Sequence, residues 1–152
     1  MSYWLFKTEP SECSIDDFAR APDTPIIWEG VRNYQARNML RDKVKKDDLV
    51  FIYHSSCKLI GVAGIARVVR AGYPDPSQFN KASAYFDAKS TLKSPRWFAV
   101  DLVFAEKLPD IIPLDKLKSL AKLSELPLVH QGSRLSVMPV TPEQWQSILQ
   151  QC

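Results

Sequence analysis

The run Leu49-Val50-Phe51-Ile52-Tyr53 is β-branched and aromatic after its first residue, with no polar alternation inside it. A half-buried strand alternates apolar and polar side chains, so a strand without a polar face has to be covered on both sides. Any fold open to this chain therefore places that strand inside a sheet with material packed on each face. A length of 152 residues at 45% apolar content supplies one such core. Single domains usually organise about 100 to 200 residues, and the sequence is read as one domain over 1–152.

The neighbouring segments supply the rest of an α+β chain. Tyr3 to Lys7 is a short aromatic strand closed by Glu9-Pro10. Ser14, three residues before Asp17, starts a short helix that buries Ile15 and Phe18. Asn33 to Arg41 has helical spacing, with Ala36, Met39 and Leu40 on one side and Tyr34, Arg37, Asn38 and Arg41 opposite. Asp47-Asp48 makes a turn, and Leu59 to Arg70 pairs antiparallel with the central run. Gly61 and Gly64 mark a bulge or a close backbone approach. Residues 72–95 form a long irregular connection around Tyr85 and Phe86, of the kind that often carries function. Trp97 to Phe104 reads as a strand, Leu114 to Leu123 as a helix between Pro113 and Pro127, and Leu135 to Val140 as a last strand. Thr141-Pro142-Glu143-Gln144 caps a C-terminal helix that buries Trp145, Ile148 and Leu149. Strands with helices between them and at the end fit a small mixed, partly closed sheet.

Several function classes lose support. No apolar run approaches the roughly 20 residues of a membrane span, and Met1-Ser2-Tyr3-Trp4 does not begin a secretory signal, so a cytoplasmic protein is expected, nuclear if eukaryotic. The three cysteines, Cys13, Cys57 and Cys152, are odd in number and far apart, which argues for reduced thiols. None of the 5 glycines sits in a phosphate-cradling loop, and no cofactor is expected. Among Cys13, His54, Cys57 and His130 only His54-x-x-Cys57 has ligand-like spacing, and no metal site is expected. Tyr53-His54-Ser55-Ser56-Cys57 gathers an imidazole, hydroxyls and a thiol, but no strained Gly-x-Ser-x-Gly turn accompanies them.

The densest recognition chemistry lies in Trp28-Glu29-Gly30-Val31-Arg32-Asn33-Tyr34-Gln35-Ala36-Arg37-Asn38. Aromatic plates stack on bases, amides meet base edges and guanidinium groups pair with phosphate. Between 32 and 46, Arg32, Arg37, Arg41, Lys43, Lys45 and Lys46 stand against Asp42 alone, in a chain whose formal charge is +3. Gly132-Ser133-Arg134-Leu135-Ser136 brings hydroxyls and an Arg to the entrance of the last strand.

As a set, Tyr3-Trp4-Leu5-Phe6-Lys7-Thr8-Glu9-Pro10, the Trp28 segment, Tyr53-His54-Ser55, Pro95-Arg96-Trp97 and Arg134-Leu135-Ser136-Val137-Met138-Pro139-Val140-Thr141-Pro142 resemble the EVE domain family, in order and over nearly the whole chain. The resemblance implies a PUA-like fold, a small mixed β-barrel of about five or six strands with peripheral helices. It also implies a non-enzymatic reader of DNA or RNA that holds a modified nucleobase, such as 5-methylcytosine or 5-hydroxymethylcytosine, in an aromatic pocket with a basic rim. Joined to the residues, this makes Trp28 the expected stacking partner, with Trp97 or Tyr53 as a second aromatic wall. Asn33, Ser55 and Ser136 are expected at the base edge, and Arg32, Arg37 and Lys45 at the phosphates. The alternatives are an RNA-binding PUA-like module, an enzyme acting on a nucleotide or nucleic acid through His54 and nearby hydroxyls, and a module that docks an acidic protein on the basic helix face.

Overall fold

The strand without a polar face lies where its composition requires. In the computed structural model, which describes all 152 residues, Leu49–His54 is paired on both edges and buried from Val50 onward. The elements are β1 (Tyr3–Thr8), α1 (Ile15–Arg20), β2 (Ile26–Trp28), α2 (Tyr34–Asp42), β3 (Leu49–His54), β4 (Gly61–Pro74), β5 (Phe98–Pro113), α3 (Leu114–Lys118), β6 (Val137–Val140) and α4 (Pro142–Leu149). They form one mixed six-stranded sheet in the order β2-β5-β4-β3-β1-β6. Only β1 and β3 run parallel; every other pair is antiparallel. This is the α+β class expected from the residues, and no helix is long and apolar enough to cross a membrane.

Curvature comes from β4 and β5, 14 and 16 residues long, whose register shifts at four points. Each such irregularity bends the strand and adds twist. Gly61 and Gly64 make close approaches: a Cβ on Gly61 would stand 2.1 Å from the Ile112 carbonyl oxygen, and one on Gly64 2.3 Å from Ile15 Cγ1. The sheet curls until residues of β2 and of the β1–β6 edge line one cleft, although β2 and β6 are not hydrogen bonded to each other.

Local signals placed the helices that carry caps. Ser14 with Asp17 and Thr141 with Gln144 form complete capping boxes, and α2 buries Ala36 and Leu40 while Met39 is half-buried and Tyr34 exposed. Trp145 of α4 stacks on Phe51 at 3.7 Å and Tyr3 at 4.5 Å, covering one face of the central strands.

Three elements and one residue differ from the sequence expectation. β2 is not expected from the sequence, where only Trp28 belongs to the recognition segment and three residues carry no periodicity; pairing with β5 makes it a strand. β5 runs nine residues beyond Phe104, to Pro113, held by β4. The expected helix from Leu114 to Leu123 stops at Lys118 and continues as 3-10 turns at Ala121–Leu123 and Pro127–Val129. It begins at Pro113 without a side-chain cap, and breaking it lets Leu117, Leu123, Leu126 and Leu128 all reach the core. Finally, Asp48 is more than a turn residue. It is buried and accepts hydrogen bonds from the Trp4 indole at 2.9 Å and from the Ser2 and Lys45 backbone N–H groups.

Candidate functional site

Between the two sheet edges opens a cleft of about 970 Å³. One wall is β2 and the segment that follows, from Ile26 through Trp28 to Arg32. The other is the end of β1 (Lys7, Thr8, Glu9), Ser55, and Arg134 with Ser136 at the approach to β6. Glu12, Cys13, Asp17 and Tyr85 complete the lining.

The first wall is held by a buried carboxylate. Asp75, fully buried, accepts hydrogen bonds from Gly30 N–H at 2.8 Å, Arg32 Nη1 at 3.0 Å and Ser77 N–H at 2.7 Å. Gly30 sits at φ +84°, and a Cβ there would lie 2.7 Å from the Tyr85 ring, so the residue fits both the backbone and the close approach. Arg32 spends every N–H it has inside the protein. Nε bonds the Tyr85 carbonyl, Nη1 bonds the Val31 carbonyl and Asp75, and Nη2 bonds Ser77 Oγ and the Tyr85 carbonyl at 2.6 Å. The buried Gln78 amide ties Asp75 and Trp97 together from behind. Tyr85 then donates its hydroxyl to Glu12 at 2.8 Å, and that carboxylate, with burial, pushes the phenol up to about 12. The long irregular connection is thus tied to the site through Asp75, Ser77, Gln78 and Tyr85.

Trp28, Ser55, Ser136 and Arg32 are brought together at the cleft. Trp28 is itself 6% exposed, packed on Phe6, with centroids 5.4 Å apart, and on Phe18 at 6.5 Å. Ser55 Oγ donates weakly to the Thr8 carbonyl at 3.3 Å. The other expected site residues lie elsewhere. Asn33 caps α2, its Oδ1 accepting from Ala36 N–H at 2.9 Å. Tyr53 is buried in β3, and burial pushes its phenol up to about 12. Trp97 is buried against Tyr34 at 4.8 Å, with the Arg32 guanidinium 5.2 Å from its ring and its indole N–H on Asp87. Arg37 bonds the Arg96 carbonyl and Asn38, and Lys45 is exposed on the turn before β3.

Lys7, Glu29, Tyr85 and Arg134 also line the cleft, though none is among the expected site residues. Three of them stand inside the motifs that carry the family resemblance, which was the available signal. Glu29 forms no hydrogen bond or ion pair within the chain; burial and the nearby Asp75 weaken its acidity.

His54 and Ser55 point to different sides, as successive strand residues do. The His54 imidazole lines a separate cavity of about 460 Å³ with Asp16 and Lys107, and its Nε2 accepts from Ile15 N–H at 3.1 Å. Ser55 lines the large cleft. No three His, Cys, Asp or Glu side chains are grouped to hold a metal ion.

Burial lowers the His54 pKa below its ordinary 6.5, against a smaller opposing pull from Asp16. The unfolded chain then binds the proton more readily than the folded one. Stability is complete above about pH 6.5 and falls as pH drops towards the lower folded value, where the loss levels off. The melting temperature should decline below about pH 6.5 in the wild type and less in His54→Gln; superimposable profiles would remove His54 from that decline.

The comparisons with known proteins bear on this architecture. The family model of the EVE domain matches residues 2–151. This chain belongs to the EVE domain family. Mouse thymocyte nuclear protein 1 is 38% identical over 97% of this chain and 72% of its own length. The EVE domain described here superimposes on a crystal structure of a Pseudomonas syringae protein with TM-score 0.95, at 48% identity over 99% of both chains. It also matches human THYN1 in complex with 5-methylcytosine-containing DNA, with TM-score 0.89 and 36% identity over 99% of this chain and 97% of that one.

Proposed function

We propose that this EVE domain binds DNA without acting on it chemically and seats a modified cytosine, turned out of its stack, in the cleft between β2 and the β1–β6 edge. The observation that carries the reading is an aromatic-backed cleft in a fold shared, at TM-score 0.89, with a protein crystallised on 5-methylcytosine DNA. Trp28 is the stacking surface, and Ser55, Ser136, Glu29 and nearby main-chain groups meet the polar edge. Glu29 is suited to accept from an exocyclic amine, because nothing in the chain competes for its carboxylate. Turning a base out costs a few kcal/mol, and stacking returns about 1 to 3 kcal/mol, so polar and phosphate contacts supply the surplus. A notch that accepts a methyl group adds on the order of 1 to 3 kcal/mol of preference. The divergence of His54 and Ser55 into separate cavities supports a role in binding over one in catalysis.

The test is fluorescence-polarisation binding to matched DNA and RNA strands carrying plain, methylated or hydroxymethylated cytosine, at two salt concentrations. The expected result is a preference for modified DNA that survives the higher salt, with the oligonucleotide recovered unchanged. Affinity that ignores the modification and collapses with salt would reduce the site to a basic surface and overturn the reading.

A further inference from the structure

We propose that Lys7 and Arg134 are the phosphate-binding wall of the cleft, holding the DNA diester next to the turned-out nucleotide. The proposal rests on the DNA-binding reading above. The cleft has three cationic side chains, Lys7, Arg32 and Arg134. Arg32 is excluded by its own bonding, since each of its N–H groups already has an internal acceptor. Lys7 and Arg134 are the reverse. The ion pairs of the chain use Arg20, Arg32, Arg41, Arg67 and Lys107, and neither Lys7 nor Arg134 has a carboxylate in reach.

Lys7 is half-buried, and burial pulls its ammonium below the ordinary lysine range. A desolvated cation without a counter-ion is unfavourable in the free protein, and an incoming anion relieves that cost. Backbone pairing sets the two cations on one wall: Lys7 N–H donates to the Ser136 carbonyl at 2.9 Å, and Arg134 lies two residues before Ser136. The aromatic and the unpaired Glu29 stand on the opposite wall. Of the remaining carboxylates in the cleft, Asp17 is held by Arg20 and the Ser14 N–H, Glu12 by Tyr85, and Glu9, which follows Lys7 by two residues, forms no ion pair and lies close enough to Tyr85 to help raise its phenol. The two cations without an ion pair thus stand on one wall, offset in part by Glu9, and the aromatic and Glu29 on the other. A nucleotide would enter with its phosphate towards Lys7 and Arg134 and its base amine towards Glu29.

Salt dependence reads this directly, because each neutralised phosphate contributes about −0.9 to the slope of log affinity against log salt on duplex DNA. Raising salt fourfold costs about 3.5-fold in affinity per contact. Lys7→Met and Arg134→Met, alone and combined, are titrated against a duplex containing 5-methylcytosine between 50 and 200 mM salt, beside Lys45→Met on the outer surface. Each cleft variant should flatten the slope by about one unit, and the double variant should lose about 12-fold less affinity than wild type over that range. The ratio of modified to plain affinity should not change, since phosphate contacts carry no base information. Lys7→Arg and Arg134→Lys should restore the slope, which separates charge from folding. An unaltered slope in the double variant, or flattening by Lys45→Met in its place, would overturn the proposal. If wild type shows no preference for the modified base yet the slopes still flatten, the base reading falls and the phosphate wall stands. If wild type prefers the modified base but the slopes hold, the reverse follows. Absence of binding to any duplex overturns both.

Discussion

Replacing Arg32 with Met should destabilise the protein by about 3 to 5 kcal/mol, the cost of leaving a buried charge without its partner. Asp75 is fully buried and Arg32 is its only cationic contact, at 3.0 Å. The same change releases the Tyr85 carbonyl, which accepts twice from Arg32, and leaves Ser77 Oγ bonded to Asp75 alone. For a chain of this size the melting temperature should fall by roughly 10 °C, measured by calorimetry or circular dichroism. Arg32→Met combined with Asp75→Asn should be less damaging than the sum of the two, because the neutral amide no longer needs a cation. A loss under about 1 kcal/mol in the single variant would mean that the Gly30 and Ser77 donors satisfy Asp75 by themselves. DNA affinity should drop in Arg32→Met as the first wall loosens, while the salt slope stays that of wild type, because no phosphate contact has been removed.

Trp28→Ala should weaken binding to modified and plain DNA alike, by about 5- to 150-fold, the equivalent of 1 to 3 kcal/mol of lost stacking. The indole also fills the space beside Phe6 and Phe18, so the variant should lose about 3 to 5 kcal/mol of stability. Binding is therefore measured well below its melting point, and Trp28→Phe serves as the second variant. Phe keeps a ring of smaller area and should recover most of the fold and part of the affinity. The preference for the modified base should survive in both, since stacking is blind to one methyl group. Full affinity in Trp28→Ala would remove Trp28 from the site and leave it a core residue.

Arg32 and Trp28 also show how far residue types alone can be read. Guanidinium, amide and aromatic groups serve internal bonding as well as nucleic acid, and the sequence around Trp28 holds all three. Four of the expected site residues line the cleft: Trp28, Ser55, Ser136 and Arg32. Asn33 became a helix cap, Trp97 a buttress under Arg32, and Tyr53 part of the core. Nothing local separates these fates, because Asp75, which claims Arg32, is 43 residues away in the chain.

What the sequence determined by itself was whatever depends on neighbours within a few residues. The unalternating run of β3, the two-sided pattern of α2 and the capping boxes of α1 and α4 were legible because strand and helix periods, and the hydrogen bonds of a cap, close over two to four positions. The residue patterns also gave the α+β class, and the ordered motifs added the family. Tertiary structure alone made β2 a strand, set β1 parallel to β3, extended β5 and broke the helix after Lys118. It also left Lys7 and Arg134 unpaired beside a cleft while Arg32 was consumed. The physical reason is common to all of these: pairing, burial and charge neutralisation are settled by which distant groups arrive within a few ångströms, and a chain read residue by residue carries no distance.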